Sequence, residues 1–249
     1  MAPRRIVRAP SGDIFGGLIP QARFITVMTL LINAALYVAM TILSMKSGNE
    51  HALSELDGRT LFAFGAKWGP AIAAGQWWRL VTAGFLHGSV MHILMNSWCL
   101  FDVGSSVEEA FGTSRLIVIY IISTITGFLV SLMWAPGALS TGSSAAIFGL
   151  IGAMIALGVR HPGAMGNMIR GIYIRWAIFG LVLGLMPGVD NAAHMGGIAG
   201  GFAVGLVAGT PGLLNDWREK FWRAACVVSL VLTGYCFLRM FLLLLAPAE

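Results

Sequence analysis

Leu116-Ile-Val-Ile-Tyr-Ile-Ile-Ser-Thr-Ile-Thr-Gly-Phe-Leu-Val-Ser-Leu-Met-Trp134 contains no charged residue. As a helix it extends roughly 28 Å, close to the thickness of a bilayer's hydrocarbon core. Six further apolar runs flank it, at about Ala22–Ser44, Val90–Val103, Ser144–Val159, Ile172–Met186, Ala192–Ala208 and Ala224–Leu245. Ala135-Pro136-Gly137-Ala138, Pro187-Gly188 and Gly209-Thr210-Pro211-Gly212 punctuate them. The whole chain agrees with this reading. Its 249 residues are 57% apolar and 11% charged, against about 25% charged in soluble domains. Mean hydropathy is +0.80. The expected fold class is an all-α membrane protein, a polytopic helical bundle of seven spans.

The segment Met45–Thr82 is mixed in polarity and holds Trp68, Trp77 and Trp78. It reads as a loop lying in the membrane interface, where tryptophan concentrates. Met1–Gln21 is polar and basic. The first apolar run is longer than the core of a signal peptide and reads as a span. Three regions follow: a cytoplasmic tail over 1–21, a six-span core over 22–210, and a linker with a seventh span over 211–249.

Net charge is +5. The basic residues lie mostly between apolar runs, which points to lipid headgroups and not to nucleic acid. With the N-terminus inside, Arg4, Arg5, Arg8, Arg23, Arg115, Arg160, Arg170, Arg175, Arg218, Lys220 and Arg223 are cytoplasmic. Lys46, Arg59, Lys67 and Arg79 are outside. Eleven against four sets the orientation and places the C-terminus outside. Cys99, Cys226 and Cys236 lie in apolar runs without paired spacing and read as small buried side chains.

Polar residues inside spans are costly and point to function. His87, His92 and Asn96 open the second span, Gly142-Ser143-Ser144 the fourth, and Asp190-Asn191-Ala192-Ala193-His194 the sixth. All three clusters fall near the outer face. Serine hydrolysis needs a hydroxyl nucleophile, a base and donors for an oxyanion. Ser144 and His194 supply the first two. The Ser144 backbone N–H, Asn96 and His92 supply the third. No carboxylate is placed to orient His194, so a dyad is expected, with Asp190 the only outer acid nearby. A zinc site of His87, His92 and His194 lacks a matching motif, and neither metal nor cofactor is expected. Gly197, Gly201, Gly205 and Gly209 repeat every fourth residue. They form a close-packing face expected to meet Ala145 and Gly149 of the fourth span.

From about Leu30 to Thr210 the chain resembles the rhomboid intramembrane serine proteases. Trp78-Arg79 resembles the Trp-Arg pair of that family's first outer loop. His87, His92 and Asn96 resemble its His-x4-His-x3-Asn pattern, and Gly104, Glu108 and Gly112 the residues that follow. Gly142-x-Ser144 resembles its nucleophile motif, and His194 with Gly196-Gly197 its Ala-His-x-Gly-Gly motif. Ala145 departs from the family's usual Gly after the serine and adds one methyl at a tight helix start.

The resemblance implies a six-helix rhomboid core plus one C-terminal transmembrane helix. It implies an intramembrane serine endopeptidase acting on transmembrane protein substrates by a Ser144–His194 dyad. His92 and Asn96 would then serve the oxyanion. Structural support would come from Gly142, His87, Trp78, Arg79, Glu108, Gly197 and Gly201. The expected location is the cell (inner or plasma) membrane, with the active site near the outer face and no oligomer required. Two other readings compete: an inactive relative that binds membrane clients, and a small transporter. A transporter would show inverted halves and a polar path across the bilayer, whereas these polar groups gather at one side.

Overall fold

The computed structural model describes residues 23–212 and 216–245; the expected tail, 1–21, lies outside the described residues. The described chain is helical: α1 Phe24–Lys46, α2 Gly58–Ala63, α3 Gly69–Ala73, α4 Arg79–Thr82, α5 Val90–Cys99, α6 Ser105–Phe111, α7 Thr113–Trp134, α8 Ser144–Arg160, α9 Ala164–Leu183, α10 Asn191–Ala208 and α11 Trp217–Leu244. A 3-10 turn, Ala83–Phe85, follows α4, and a π-helical segment, Leu100–Gly104, joins α5 to α6. Among the described residues four helices, α1, α7, α10 and α11, are long and apolar enough to cross a membrane, and α8 is a shorter apolar helix. The protein is a multi-pass integral membrane protein. Leu31, Val38, Leu129, Phe179, Val182, Val228 and Leu238 are exposed along helix faces, as a lipid-facing surface requires.

Helix starts follow from local chemistry. The free amides of a first helical turn need acceptors. Ser89 and Asp190 cap α5 and α10 through their side chains. In α1 the acceptor comes from elsewhere in the chain. Glu108 takes the Ile25 and Thr26 amides, each at 3.0 Å, and the Thr26 hydroxyl at 2.8 Å. A carboxylate at a helix N-terminus also suits the helix dipole.

Packing between helices is set by small residues, because lipid supplies little hydrophobic drive between them. A Cβ built on Gly197 would overlap the Ala145 carbonyl, and one on Gly201 the Gly149 carbonyl. Gly205 approaches Ala153 in the same way, so α10 lies in backbone contact with α8. On its other side, Gly196 and Gly200 meet Thr126 of α7. Gly209 is not part of this face. It ends α10 at φ +60°. The methyl of Ala145 is fully buried and sits over Gly127 of α7, where an added Cβ would lie 2.8 Å from it.

Three helices differ from the expected spans, α11 among them, which starts at Trp217, about two turns before Ala224. The second run does not stop at Val103 but continues as one rod from Val90 to Phe111 through the π segment. The fifth helix starts at Ala164, about two turns before Ile172. The loop between α1 and α5 contains three short helices, α2 to α4, held by Arg79. Arg79 is fully buried, lies 4.0 Å over the Phe62 ring, and donates to the Phe62 and Ala66 carbonyls at 2.7 and 3.0 Å. Trp78 is also buried, beneath the same guanidinium. Burial lowers the Arg79 pKa to about 10, which leaves it charged at neutral pH.

At the opposite end of the bundle, Arg115 of α7 pairs with Glu219 of α11 at 2.5 Å and donates to the Ala208 carbonyl that closes α10. The helix α11 is thereby tied to α7 and α10.

Candidate active site

Gly142 makes the turn into α8 possible. Its φ is +135°, a region that side chains disfavour. A Cβ there would lie 2.8 Å from His92 Nε2. Its amide donates to the Ala83 carbonyl at 2.9 Å, fixing the turn to the loop's 3-10 segment. Two residues later Ser144 opens α8, in a first turn whose free amides face developing negative charge.

His194 stands in the first turn of α10. Its Nε2 lies 3.0 Å from Ser144 Oγ. The ring stacks on Phe148 with centroids 4.1 Å apart and planes 16° from parallel. Phe148 is four residues after Ser144, so one face of α8 carries both the hydroxyl and the shelf for the imidazole. His194 Nδ1 lies 3.1 Å from Asn191 Oδ1. Sequence reasoning missed both Phe148 and Asn191. The i to i+4 and i to i−3 spacings were the available signals.

Asp190 is not the partner of the His194 ring. Its carboxylate takes hydrogen bonds from Ser131, from Ser140 at 2.7 Å and from the Ala193 amide at 2.9 Å. Burial alone would raise its pKa, but these bonds and the Lys67 charge hold it below the usual carboxylate range. Lys67 is fully buried and donates to the Ala135 and Ala138 carbonyls at 2.8 and 3.1 Å. Burial lowers its pKa, and Asp190 opposes that shift. Lys67 and Ser140 also exchange both backbone hydrogen bonds. The loop before α8, the loop between α1 and α5 and the start of α10 are therefore one hydrogen-bonded unit.

A second Ser–His pair lies behind the first. His87 Nε2 is 3.2 Å from Ser143 Oγ, and both residues are fully buried. The His87 and His92 rings meet edge to face at 5.0 Å. Asn96 Nδ2 donates to its own helix at the His92 carbonyl, 3.0 Å away, which leaves its second N–H available. Thus Ser144, His194, His92, Asn96, Gly142 and His87 gather at one end of the bundle. Gly197 and Gly201 lie beneath, in the α8–α10 contact. Trp78 and Arg79 hold the loop, and Glu108 stands at the start of α1, with no contact to the Ser–His pair. Among the described residues no group of three His, Cys, Asp or Glu side chains is arranged to hold a metal ion.

Known proteins are similar to this chain in sequence. The chain is 37% identical over 153 residues to the rhomboid protease GluP of Bacillus subtilis (strain 168), covering 61% of this chain and 30% of that protein. It is 36% identical over 167 residues to RHOMBOID-like protein 7 of Arabidopsis thaliana, covering 66% and 53%. It is 34% identical over 160 residues to Rhomboid-like protease 3 of Toxoplasma gondii, covering 60% and 59%. The chain thus spans between about a third and three fifths of the length of these relatives. The rhomboid domain matches residues 74–211, more than half of the chain and the whole of the site, and the chain belongs to the rhomboid family.

Proposed function

We propose that the protein is an intramembrane serine endopeptidase that hydrolyses peptide bonds in or near the transmembrane segments of membrane proteins. The observation that carries this reading is the 3.0 Å approach of His194 Nε2 to Ser144 Oγ, at the bundle end where α8 and α10 begin. Ser144 Oγ attacks the scissile carbonyl and passes its proton to His194 Nε2. The oxyanion forms beside the Ser144 N–H, with Asn96 and His92 as further donors. His194 returns the proton to the leaving amine, and an acyl-enzyme remains. A water molecule, deprotonated by the same nitrogen, releases the acyl group and restores the serine.

Ser143 and His87 have hydrogen-bonding geometry of their own, but neither has any exposed surface. A substrate carbonyl has no approach to that hydroxyl. The pair supports the nucleophile's turn from behind.

The membrane arrangement in this reading is six core spans plus α11, with the N-terminus cytoplasmic and the site near the outer face of the cell membrane. The charge asymmetry supports it. Reporters fused at Met1 and Glu249 are expected on opposite sides, and both on one side would overturn the arrangement. The activity itself is tested with the full chain in lipid and a transmembrane model substrate. Cleavage and fluorophosphonate labelling are expected together. A parent protein that neither labels nor cleaves across varied lipids and substrates would leave a client-binding relative.

Arg79 supports the loop and takes no part in the chemistry. Arg79→Ala orphans the buried Ala66 carbonyl, at about 1–3 kcal/mol, whereas the Phe62 carbonyl keeps the Gly65 amide. A lower melting midpoint is expected, with labelling of Ser144 retained. Complete loss of labelling in a folded Arg79→Ala protein would place Arg79 in the chemistry.

A further inference from the structure

The last four carbonyls of a helix lack intrahelical donors and must find others. In α9 three of them take the amides that follow: Gly180 from Gly184 at 2.9 Å, Val182 from Leu185 at 3.1 Å, and Leu183 from Met186 at 3.1 Å. The fourth, Leu181, takes the side-chain amide of Asn191 at 3.1 Å. A carbonyl only accepts, so Asn191 must present its nitrogen there. The orientation of the amide is then fixed, and Oδ1 faces His194 Nδ1 at 3.1 Å.

An amide oxygen has no proton to give. His194 must therefore donate from Nδ1. A neutral imidazole carries one N–H, so Nε2 keeps its lone pair, and Nε2 is the atom 3.0 Å from Ser144 Oγ. The Phe148 ring sets the plane of the imidazole but is indifferent to which nitrogen is protonated. The Asp190 carboxylate, on the same turn, is occupied by Ser131, Ser140 and the Ala193 amide. Space for the Asn191 amide is provided by Gly184. Its φ of −67° suits any residue, yet a Cβ there would overlap Asn191 Oδ1.

We propose that Asn191 is a positioning residue: anchored to the end of α9, it fixes His194 as the Nδ1–H tautomer and turns the basic nitrogen toward Ser144. The inference rests on the Ser144–His194 reading above for its catalytic meaning. It makes the site a Ser–His–Asn triad in which a neutral amide occupies the orienting place. It also makes the end of α9 part of the catalytic frame.

The test uses the full chain in lipid or detergent with ¹⁵N-labelled histidine, together with steady-state cleavage of a transmembrane substrate. The parent His194 is expected to show a protonated Nδ1 and a bare Nε2. Asn191→Leu removes the acceptor, and Gly184→Ala displaces it while leaving Asn191 in place. Both are expected to give a mixture of tautomers and to lower kcat about tenfold, the worth of one hydrogen bond, with KM within about twofold. Asn191→Asp keeps an acceptor for His194 Nδ1 but cannot donate to the Leu181 carbonyl, so the Nδ1–H tautomer is expected to persist with kcat only partly recovered. If Asn191→Leu fails to fold, Gly184→Ala carries the same reading, since the φ of −67° at Gly184 accommodates alanine without backbone strain.

A parent His194 protonated on Nε2 would overturn the proposal. So would a fall in kcat with the tautomer unchanged, which assigns Asn191 to packing. The spectra need no substrate. Cleavage that survives Ser144→Ala would therefore sink the catalytic reading while leaving the tautomer result to stand by itself.

Discussion

Ser144→Ala and His194→Ala are each expected to abolish cleavage, a loss of about 10⁴-fold or more in kcat, with a melting midpoint close to the parent's. Nucleophile and base act as one unit, so removing either costs nearly as much as removing both. Ser144 lies at the head of α8, partly exposed, with the imidazole in reach. Ser143→Ala, by contrast, is expected to retain substantial cleavage and fluorophosphonate labelling, because the Ser143 hydroxyl is sealed against His87. Asn96→Ala and His92→Ala are expected to fall between, at about 10²- to 10³-fold, the usual cost of losing one oxyanion donor. Activity retained by Ser144→Ala but lost in Ser143→Ala would transfer the reaction to the buried pair. Activity surviving in both and removed by a chelator would end the serine mechanism altogether.

Gly201→Leu is expected to lower cleavage by about 10²-fold or more and to lower the melting midpoint. Gly201 lies two turns beneath His194, against the backbone of Gly149. A side chain there forces α10 away from α8, or unfolds the contact. Because Ser144 rides on one helix and His194 on the other, separation opens the hydrogen bond between them. A misplacement of about 1 Å at reacting groups costs about 10²-fold. Gly234→Ala in α11 is the control. Nothing lies within 4 Å of a Cβ at that position, and parent-like cleavage is expected. Parent-like cleavage by Gly201→Leu itself would show that the α8–α10 contact does not set the catalytic distance.

The membrane class was readable from runs such as Leu116–Trp134, because a span must be apolar along its length. The close contact of α8 and α10 was readable too, since a four-residue repeat of glycine has few other uses in a membrane helix. The Ser144 register followed from its spacing to Gly142, and the structure places that hydroxyl, not Ser143's, beside His194. What was not readable depends on contacts between distant segments. Hydropathy ended the second span at Val103 because Gly104, Ser105, Ser106, Glu108 and Glu109 follow, yet the helix continues through them. Glu108 is buried there because it caps α1, a fact invisible in its own neighbourhood. The first turns of α9 are polar enough to read as a loop. The helices α2 to α4 are too short to establish a period. Asn191 was passed over because a partner for the histidine was sought among acids. Its role emerges only when Leu181 of another helix claims the amide nitrogen.

The seat of Ala145 over Gly127 has a consequence for how this sequence changes over time. The methyl that α8 carries is matched by the one α7 lacks, so the two positions share a single quota of volume. Ala at both would place two methyl carbons 2.8 Å apart, beside the Ala193 carbonyl. Gly at both would leave a void next to the nucleophile's helix. Substitution at either position is therefore bounded by the residue at the other. The exchange Ala145→Gly with Gly127→Ala keeps the total but leaves the new Cβ 2.7 Å from the Ala193 carbonyl, so it also requires α10 to shift. Among homologues alanine at position 145 is expected to be accompanied by glycine at position 127.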